Sequence, residues 1–364
     1  SAAKNYAIEQ AAGDWIAFLD ADEYFSREDA EKLIDLLAEI EDSKLAEENP
    51  HLMIRCAWVQ LDGEGRPFSV SVQDRIFRNL PEIRYSGRIH EQIGRWGGNE
   101  GPLVCIDERK TLSIMHTGYV PSVMKEKEKW ERNIQMLLWE IEENPEELTP
   151  YAYLGDAYVG MGDIRKAIEV YEKTLTGTPG ENVNEYCYMN AGKSLLRLYA
   201  SDPSLAESEE KVEETAKQLG YPSVDNPDVY YYLGIYHMKR EEFHRAYGEI
   251  KRALGLLDVY RGIDGIYLSG ELGRAYAFMA VICRQTGFGA EELYYGVLAL
   301  RTDRYQEDVL CGVLRTLKKD DSTGERTAEA WKLLLGLYDR KSKEDIFFLT
   351  KCITAIGYPT NKRQ

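Results

Sequence analysis

Five consecutive apolar residues, Trp15 to Leu19, run directly into the acidic stretch Asp20-Ala-Asp22, and this segment constrains the fold most. The run is too short for an independent helix and predicts a strand buried on both faces, as in a parallel sheet covered by helices. In an extended chain, alternate residues project to the same side, about 6.5–7 Å apart. Asp20 and Asp22 would then reach one cation-bearing ligand, at the strand end where open α/β sheets place their ligands.

Two other interpretations compete for these aspartates. A calcium loop of the EF-hand type also begins Asp-X-Asp, but it requires an oxygen ligand at its fifth position and glycine at its sixth. Tyr24 and Phe25 occupy those positions and exclude it. In the second interpretation, Asp20 caps a helix that starts near Ser26, and Asp22 with the next residue forms a solvated turn. That alternative stays open on these residues alone.

Composition limits the class of protein and of partner. The 364 residues are long enough for two domains, and their net charge of -17 disfavours nucleic acid and anionic membrane surfaces as partners. No stretch approaches the ~20 apolar residues of a membrane span. The six cysteines show no metal-binding or disulfide spacing, so we expect reduced thiols and a cytoplasmic protein.

Four segments, in order along the chain, resemble the nucleotide-sugar domain of family-2 glycosyltransferases, which have the GT-A fold. The resemblance lies in Asn5 and Ala7 with Gly13 to Glu23, in Arg75 to Asn79, in Tyr85 to Glu91 and in Ile114 to Tyr119. It implies an α/β domain over residues 1–120 and an all-α region over 121–364. It also leads us to expect that the amino-terminal half of the GT-A domain, with much of the nucleotide base pocket, is missing.

The resemblance implies a cofactor site for a nucleotide-sugar donor and a divalent cation, Mn or Mg. Asp20 and Asn5 would bind the cofactor, and Asp20, Asp22 and His116 would hold the metal. A lone histidine at a strand end is also a common hydrogen-bonded structural residue, so this second role for His116 stays open.

Glu91 and His90 are the catalytic residues that the resemblance implies. In inverting sugar transfer a carboxylate takes the proton from the acceptor hydroxyl, and Glu91 is our candidate for that base. His90 would position a substrate phosphate or the acceptor. The alternative for Glu91 is an ordinary ion pair with Arg75, Arg78 or Arg88.

The sequence after Pro121 changes to helical periodicity. One set of residues matches the tetratricopeptide repeat spacing and a second set matches it more weakly, which predicts an α-solenoid with tyrosines as packing residues. The first set is Tyr151, Leu154, Gly155, Tyr158, Ala167, Tyr171 and Pro179, and the second is Tyr230, Leu233, Gly234, Ala246 and Ala253. We assign no function to His237 and His244, which share one predicted helical hairpin without a nearby third ligand.

Two functions follow from these patterns. In the first, the protein transfers a sugar from the nucleotide donor to a glycan, lipid or peptide acceptor, and the repeats bind the acceptor or a protein partner. In the second, it is an interaction scaffold whose transferase domain is inactive or incomplete.

Overall fold

The fold is described from a computed structural model, over residues 1–88, 91–96, 103–117, 123–260, 262, 264–319 and 325–357. The chain divides into two compact units, Ser1–Leu195 with Gly262–Gly265, and Leu196–Arg261 with Ile266–Gln364. The predicted domain boundary between residues 120 and 121 lies outside the described residues. None of the described helices combines the length and the apolar character needed to cross a bilayer.

The first unit contains strands and helices. The strands are β1 (Trp15–Ala17), β2 (Glu23–Phe25), β3 (Leu52–Leu61), β4 (Pro67–Arg78), β5 (Ile83–Ser86), β6 (Gln92–Arg95), β7 (Val104–Asp107) and β8 (Ser113–His116). The helices are α1 (Ala2–Gln10), α2 (Arg27–Asp42), α3 (Lys44–Glu48), α4 (Val123–Glu143), α5 (Thr149–Met161), α6 (Ile164–Thr174) and α7 (Glu185–Ser201), which crosses into the second unit.

A mixed sheet in the order β1-β4-β3-β8-β2 positions the candidate site. β3 pairs antiparallel with β4 on one side, and on the other it pairs parallel with β7 and then with β8. Neighbouring residues of a strand face opposite sides, so Ile76 packs beneath α2 while Phe77 packs against Ile8 of α1. The sheet is therefore covered on both faces.

The strand predicted over Trp15 to Leu19 is shorter than expected and is not buried on both faces. β1 ends at Ala17, which is exposed. It pairs antiparallel with β4 and lies at one end of the sheet in the described part of the chain. Only the side chain of Ile16 is fully covered, because an end strand has a neighbour on one side alone.

The second unit is helical. Its helices are α8 (Glu209–Gln218), α9 (Pro227–Lys239), α10 (Phe243–Leu256), α11 (Leu272–Thr286), α12 (Gly289–Thr302), α13 (Glu307–Lys318), α14 (Glu325–Leu337) and α15 (Lys343–Ala355), with short 3-10 turns at Pro203–Leu205 and Tyr267–Glu271. Successive helices pack in pairs, as the periodicity predicts. The packing role predicted for the tyrosines is confirmed at four fully buried positions of this unit, Tyr199, Tyr231, Tyr232 and Tyr236, and at Tyr171 of the first unit.

The contact between α5 and α6 depends on Gly155. A Cβ atom placed there would lie 2.3 Å from the ring of Tyr171. That ring is fully buried, and its hydroxyl donates to Asp156 at 2.6 Å, so it has no room to move away. The glycine predicted from the repeat spacing therefore sets how closely the two helices approach.

We expect Gly155→Ala to lower the free energy of unfolding by about 1–3 kcal/mol, because the added methyl group overpacks this contact. Gly248→Ala in α10 is the matched control, since a Cβ atom there meets nothing within 4 Å. Because alanine has a higher helix propensity than glycine, this variant should have the wild-type free energy of unfolding or one higher by up to about 1 kcal/mol. Urea unfolding followed by circular dichroism compares the two variants, and equal stabilities would refute the role of Gly155.

Candidate active site

The loop between β1 and β2 carries the two aspartates predicted to bind ligand. The carboxylate of Asp20 accepts a hydrogen bond from Arg75 Nη2 at 2.8 Å and lies 3.7 Å from Lys4 Nζ. The carboxylate of Asp22 lies 3.3 Å from Nε2 of His116. The two aspartate side chains are 42% and 46% exposed, so solvent reaches both. One aspartate thus belongs to a cluster around Arg75 and the other to a cluster around His116.

The extended geometry predicted for Asp20 and Asp22 is wrong, because the chain turns here. The backbone N–H of Glu23 donates to the carbonyl of Asp20, and the N–H of Asp20 donates to the Glu23 carboxylate, each at 2.9 Å. The side-chain alternation of a strand does not hold across a turn. The helix-cap alternative is also wrong: Ser26 caps α2 by accepting from the N–H of Asp29, and the Glu23 side chain is only 1% exposed.

Glu23 is a site residue that the sequence pattern does not identify as a ligand or a catalytic group. Its carboxylate accepts hydrogen bonds from Arg75 Nη2 and from Trp58 Nε1, both at 2.9 Å. A buried carboxylate needs such partners to offset its desolvation. The signal available in the sequence is an acid at an inward position of β2, next to the exposed Tyr24.

A β-bulge directs the side chain of Arg75 toward these acids. Ile54 of β3 pairs with Ile76 of β4, whereas the next residue, Arg55, pairs with Asp74, so Arg75 has no partner in the ladder. Bulges commonly redirect a side chain beside a site. Burial opposes the charge of the guanidinium, but the two neighbouring carboxylates outweigh it and raise the pKa of Arg75. The arginine stays charged and holds the turn.

His116 ends β8, and its imidazole bridges two side chains. Its Nδ1 lies 2.6 Å from Gln60 Oε1, and its Nε2 faces Asp22. The amide oxygen of Gln60 can only accept, so Nδ1 donates to it, and this hydrogen bond orients Nε2 toward the Asp22 carboxylate. The ring also packs 4.9 Å from the ring of Trp58. An imidazole nitrogen oriented by a second hydrogen bond, next to carboxylate oxygens, fits a manganese ligand set.

Lys4 connects Glu91 to the aspartate loop. Its Nζ lies 3.1 Å from the Glu91 carboxylate and 3.7 Å from that of Asp20. The amino group of Ser1 also contacts Glu91, and the lysine ammonium lies 5.0 Å from the ring centre of Tyr85. The ammonium group of Lys4 therefore pairs with both the predicted base, Glu91, and the first aspartate, Asp20.

The ion pairs proposed between Glu91 and arginine are wrong in the described part of the chain. Arg75 pairs with Asp20 and Glu23. Arg78 pairs with an acid of α2, and Arg88 pairs with an acid of α4. His90, the other predicted catalytic residue, lies outside the described residues.

Asn5 joins α1 to β5. Its Nδ2 donates to the carbonyl of Tyr85, and its Oδ1 accepts from the N–H of the same residue, both at 2.8 Å. This pair of bonds fixes the start of the hairpin formed by β5 and β6. A part for Asn5 in cofactor binding stays a prediction.

A second group of metal-type ligands lies in the helical unit, around His237. Its Nδ1 lies 2.8 Å from Glu242, and Glu209 completes a group whose ligand atoms lie within 4.8 Å of one another. Both carboxylates are already paired with Arg240 and Arg245 at 2.7–3.0 Å. A cation would have to compete with two guanidinium groups, so we interpret the cluster as an ion-pair network.

His237 gives this network a pH dependence. Burial lowers its pKa and Arg245 lowers it further, against the opposing effect of Glu242. The unfolded chain, in which the pKa is about 6.5, therefore takes up the proton first, and stability should fall as the pH drops below that value. We expect His237→Gln to make the loss of unfolding free energy between pH 7 and pH 5 shallower.

Urea unfolding at pH 7, 6 and 5 measures this effect, which is at most about 1.4 kcal/mol per pH unit for one proton. His244→Gln is the matched control, because His244 is exposed on α10 and should retain the wild-type pH dependence. If the unfolding free energy of the His237 variant and of the wild type fell equally with pH, His237 would not be the source of the pH dependence.

Comparison with known proteins finds a transferase family, a glycosyltransferase and repeat proteins among the matches. Residues 1–43 match Glycosyl transferase family 2. A TPR repeat-containing protein of Synechococcus elongatus is 30% identical over 178 residues, which are 46% of this chain and 40% of that protein. The first 43 residues are thus similar to family-2 glycosyltransferases, and about half of the chain is similar to a TPR repeat-containing protein. The SPbeta prophage-derived glycosyltransferase SunS of Bacillus subtilis is 26% identical over 175 residues, 48% of this chain and 38% of that protein.

The chain thus spans about two fifths of the length of these two relatives. Among solved structures, YrrB, described as a TPR protein with an unusual peptide-binding site, has a TM-score of 0.41 at 16% identity, covering 59% of this chain and 97% of that chain. The C-terminal part of a TPR repeat-containing protein from Cytophaga hutchinsonii has a TM-score of 0.42 at 13% identity, covering 64% and 89%.

Proposed function

We propose that this chain forms part of a metal-dependent, inverting glycosyltransferase that moves a sugar from a nucleotide-sugar donor to a glycan, lipid or peptide acceptor. The observation that carries the proposal is the approach of Asp22 Oδ2 to His116 Nε2 at 3.3 Å, beside the cluster of Asp20, Glu23 and Arg75. The match of the first 43 residues to the family supports it.

Different residues of the chain bind the cation, contact the donor and hold the loop. Asp22 and His116 would hold the cation, and Asp20 beside them would contact the cation or the donor. When bound, a divalent cation neutralises the charge that develops on the departing nucleoside diphosphate. Glu23 and Arg75 keep the turn closed, so that the loop carries its acids into the site in one arrangement.

Proton transfer falls to Glu91. In an inverting reaction the acceptor hydroxyl attacks the anomeric carbon on the face opposite the leaving diphosphate, and a base removes its proton during the attack. Glu91 is 17% exposed at its side chain, so an acceptor can reach it, and Lys4 holds its carboxylate toward the aspartate loop. The helical repeats would bind the acceptor or a protein partner.

Turnover of nucleotide sugars tests the proposal. This chain and the complete reading frame that contains it are incubated with uridine, guanosine and thymidine diphosphate sugars, with manganese or magnesium and a candidate acceptor extract. We expect release of one nucleoside diphosphate that stops when the cation is chelated and that falls in His116→Ala. Absence of release from every donor by both proteins would refute the proposal and favour the interaction scaffold.

A further inference from the structure

The hairpin that carries Glu91 is small and has little stability of its own. β5 and β6 form a separate two-stranded sheet of four residues each. Isolated two-stranded hairpins are marginally stable in water. A general base, however, has to be held within about 0.5 Å of its productive position. Contacts from outside the hairpin must therefore supply its rigidity.

Helices of the same compact unit hold the hairpin on both sides of Glu91. The guanidinium of Arg88 forms an ion pair with Glu143, and both side chains are partly exposed. This contact attaches residue 88, before the base, to the last turn of α4.

The residue after the base has partners on two other helical elements. Gln92 Oε1 accepts from Nδ2 of Asn184, just before α7, at 3.5 Å, and the Gln92 side chain lies beside Tyr153 of α5. Across the hairpin, Lys4 and Asn5 of α1 hold Glu91 and β5 from the side of the sheet.

We infer that Arg88 and Gln92 are positioning residues, through which α4, α5 and α7 hold the general base against the aspartate loop. The first helices of the repeat region are then a structural part of the active site and do more than bind a partner. The inference rests on the proposed function, because it takes Glu91 as the base.

Two substitutions, at Arg88 and at Gln92, test whether the helices hold the hairpin. Arg88→Glu places a carboxylate beside Glu140 and Glu143, and Gln92→Ala removes the second attachment. We expect each to lower kcat by about 10-fold through misplacement of the base, while affinity for uridine diphosphate changes less than about twofold. Hydrogen exchange of peptides that cover residues 83–96 should become about 10-fold faster. The double variant Arg88→Glu with Glu143→Arg should restore both kcat and the exchange rate.

Arg66→Glu is the matched control, because Arg66 pairs with Asp62 and Glu64 in the turn between β3 and β4, and it should change neither readout. Hydrogen exchange at the wild-type rate in both the Arg88 and the Gln92 variant would overturn the inference. Faster exchange with a kcat equal to that of the wild type would also overturn it. A wild-type enzyme without transferase activity refutes the proposed function and the catalytic half of the inference. The exchange data still decide whether the helices hold the hairpin.

Discussion

Replacing Glu91 with glutamine is expected to lower kcat by about 10²–10⁴-fold, the range typical of a lost general base. Glutamine keeps the size and shape of the side chain but cannot accept the proton of the acceptor hydroxyl at neutral pH. Affinity for the nucleoside diphosphate should stay within about twofold, because Asp22 and His116 are proposed to hold the cation, whereas Glu91 pairs with Lys4. Lys4 retains its second partner, Asp20, at 3.7 Å.

Single-turnover kinetics with saturating donor measure this effect separately from product release. Glu64→Gln, in the exposed turn between β3 and β4, is the isosteric control and should leave kcat unchanged. A Glu91 variant with at least half of wild-type kcat would assign the base to another residue.

Replacing Asp22 with asparagine is expected to lower the affinity for uridine diphosphate in the presence of manganese by at least about 10–100-fold. Loss of an outer partner of a metal ligand already costs that much in metal affinity, and Asp22 is proposed as a ligand itself. The amide keeps the shape of the side chain, but it removes the negative charge that faces His116 Nε2.

Asp35→Asn is the matched control, since Asp35 is exposed on α2, and it should bind as the wild type does. Gln60→Leu extends the test, because it removes the hydrogen bond that orients the imidazole of His116. If the Asp22 variant kept the manganese-dependent affinity of the wild type, the cation would have to bind elsewhere.

The helical repeats could be predicted from the sequence because their signals are local. Gly155 and Tyr171 lie within one helical hairpin, and a spacing of sixteen residues is enough to predict that a small side chain faces a large one. The extended runs Leu52 to Leu61 and Pro67 to Phe77, on either side of a turn at Asp62, likewise predict a hairpin, and the antiparallel pairing of β3 with β4 confirms it.

The contacts within the candidate site could not be predicted, because they depend on strand order and on a bulge. Arg75 reaches Asp20 and Glu23 only because the register of β4 shifts by one residue. His116 meets Asp22 because β8 pairs with β2, which lies about ninety residues earlier in the chain. Lys4 could not be identified as the partner of Glu91, since no periodicity links a helix to a distant hairpin.

Calorimetric titration of the protein with uridine diphosphate, with and without manganese, tests the central claim most directly. We expect binding at a single site that requires the cation and that is at least about 10-fold weaker in Asp22→Asn. The titration is made on this chain and on the complete reading frame that contains it. If neither protein bound any nucleoside diphosphate in the presence of manganese or magnesium, the transferase site proposed at Asp22 and His116 would be contradicted.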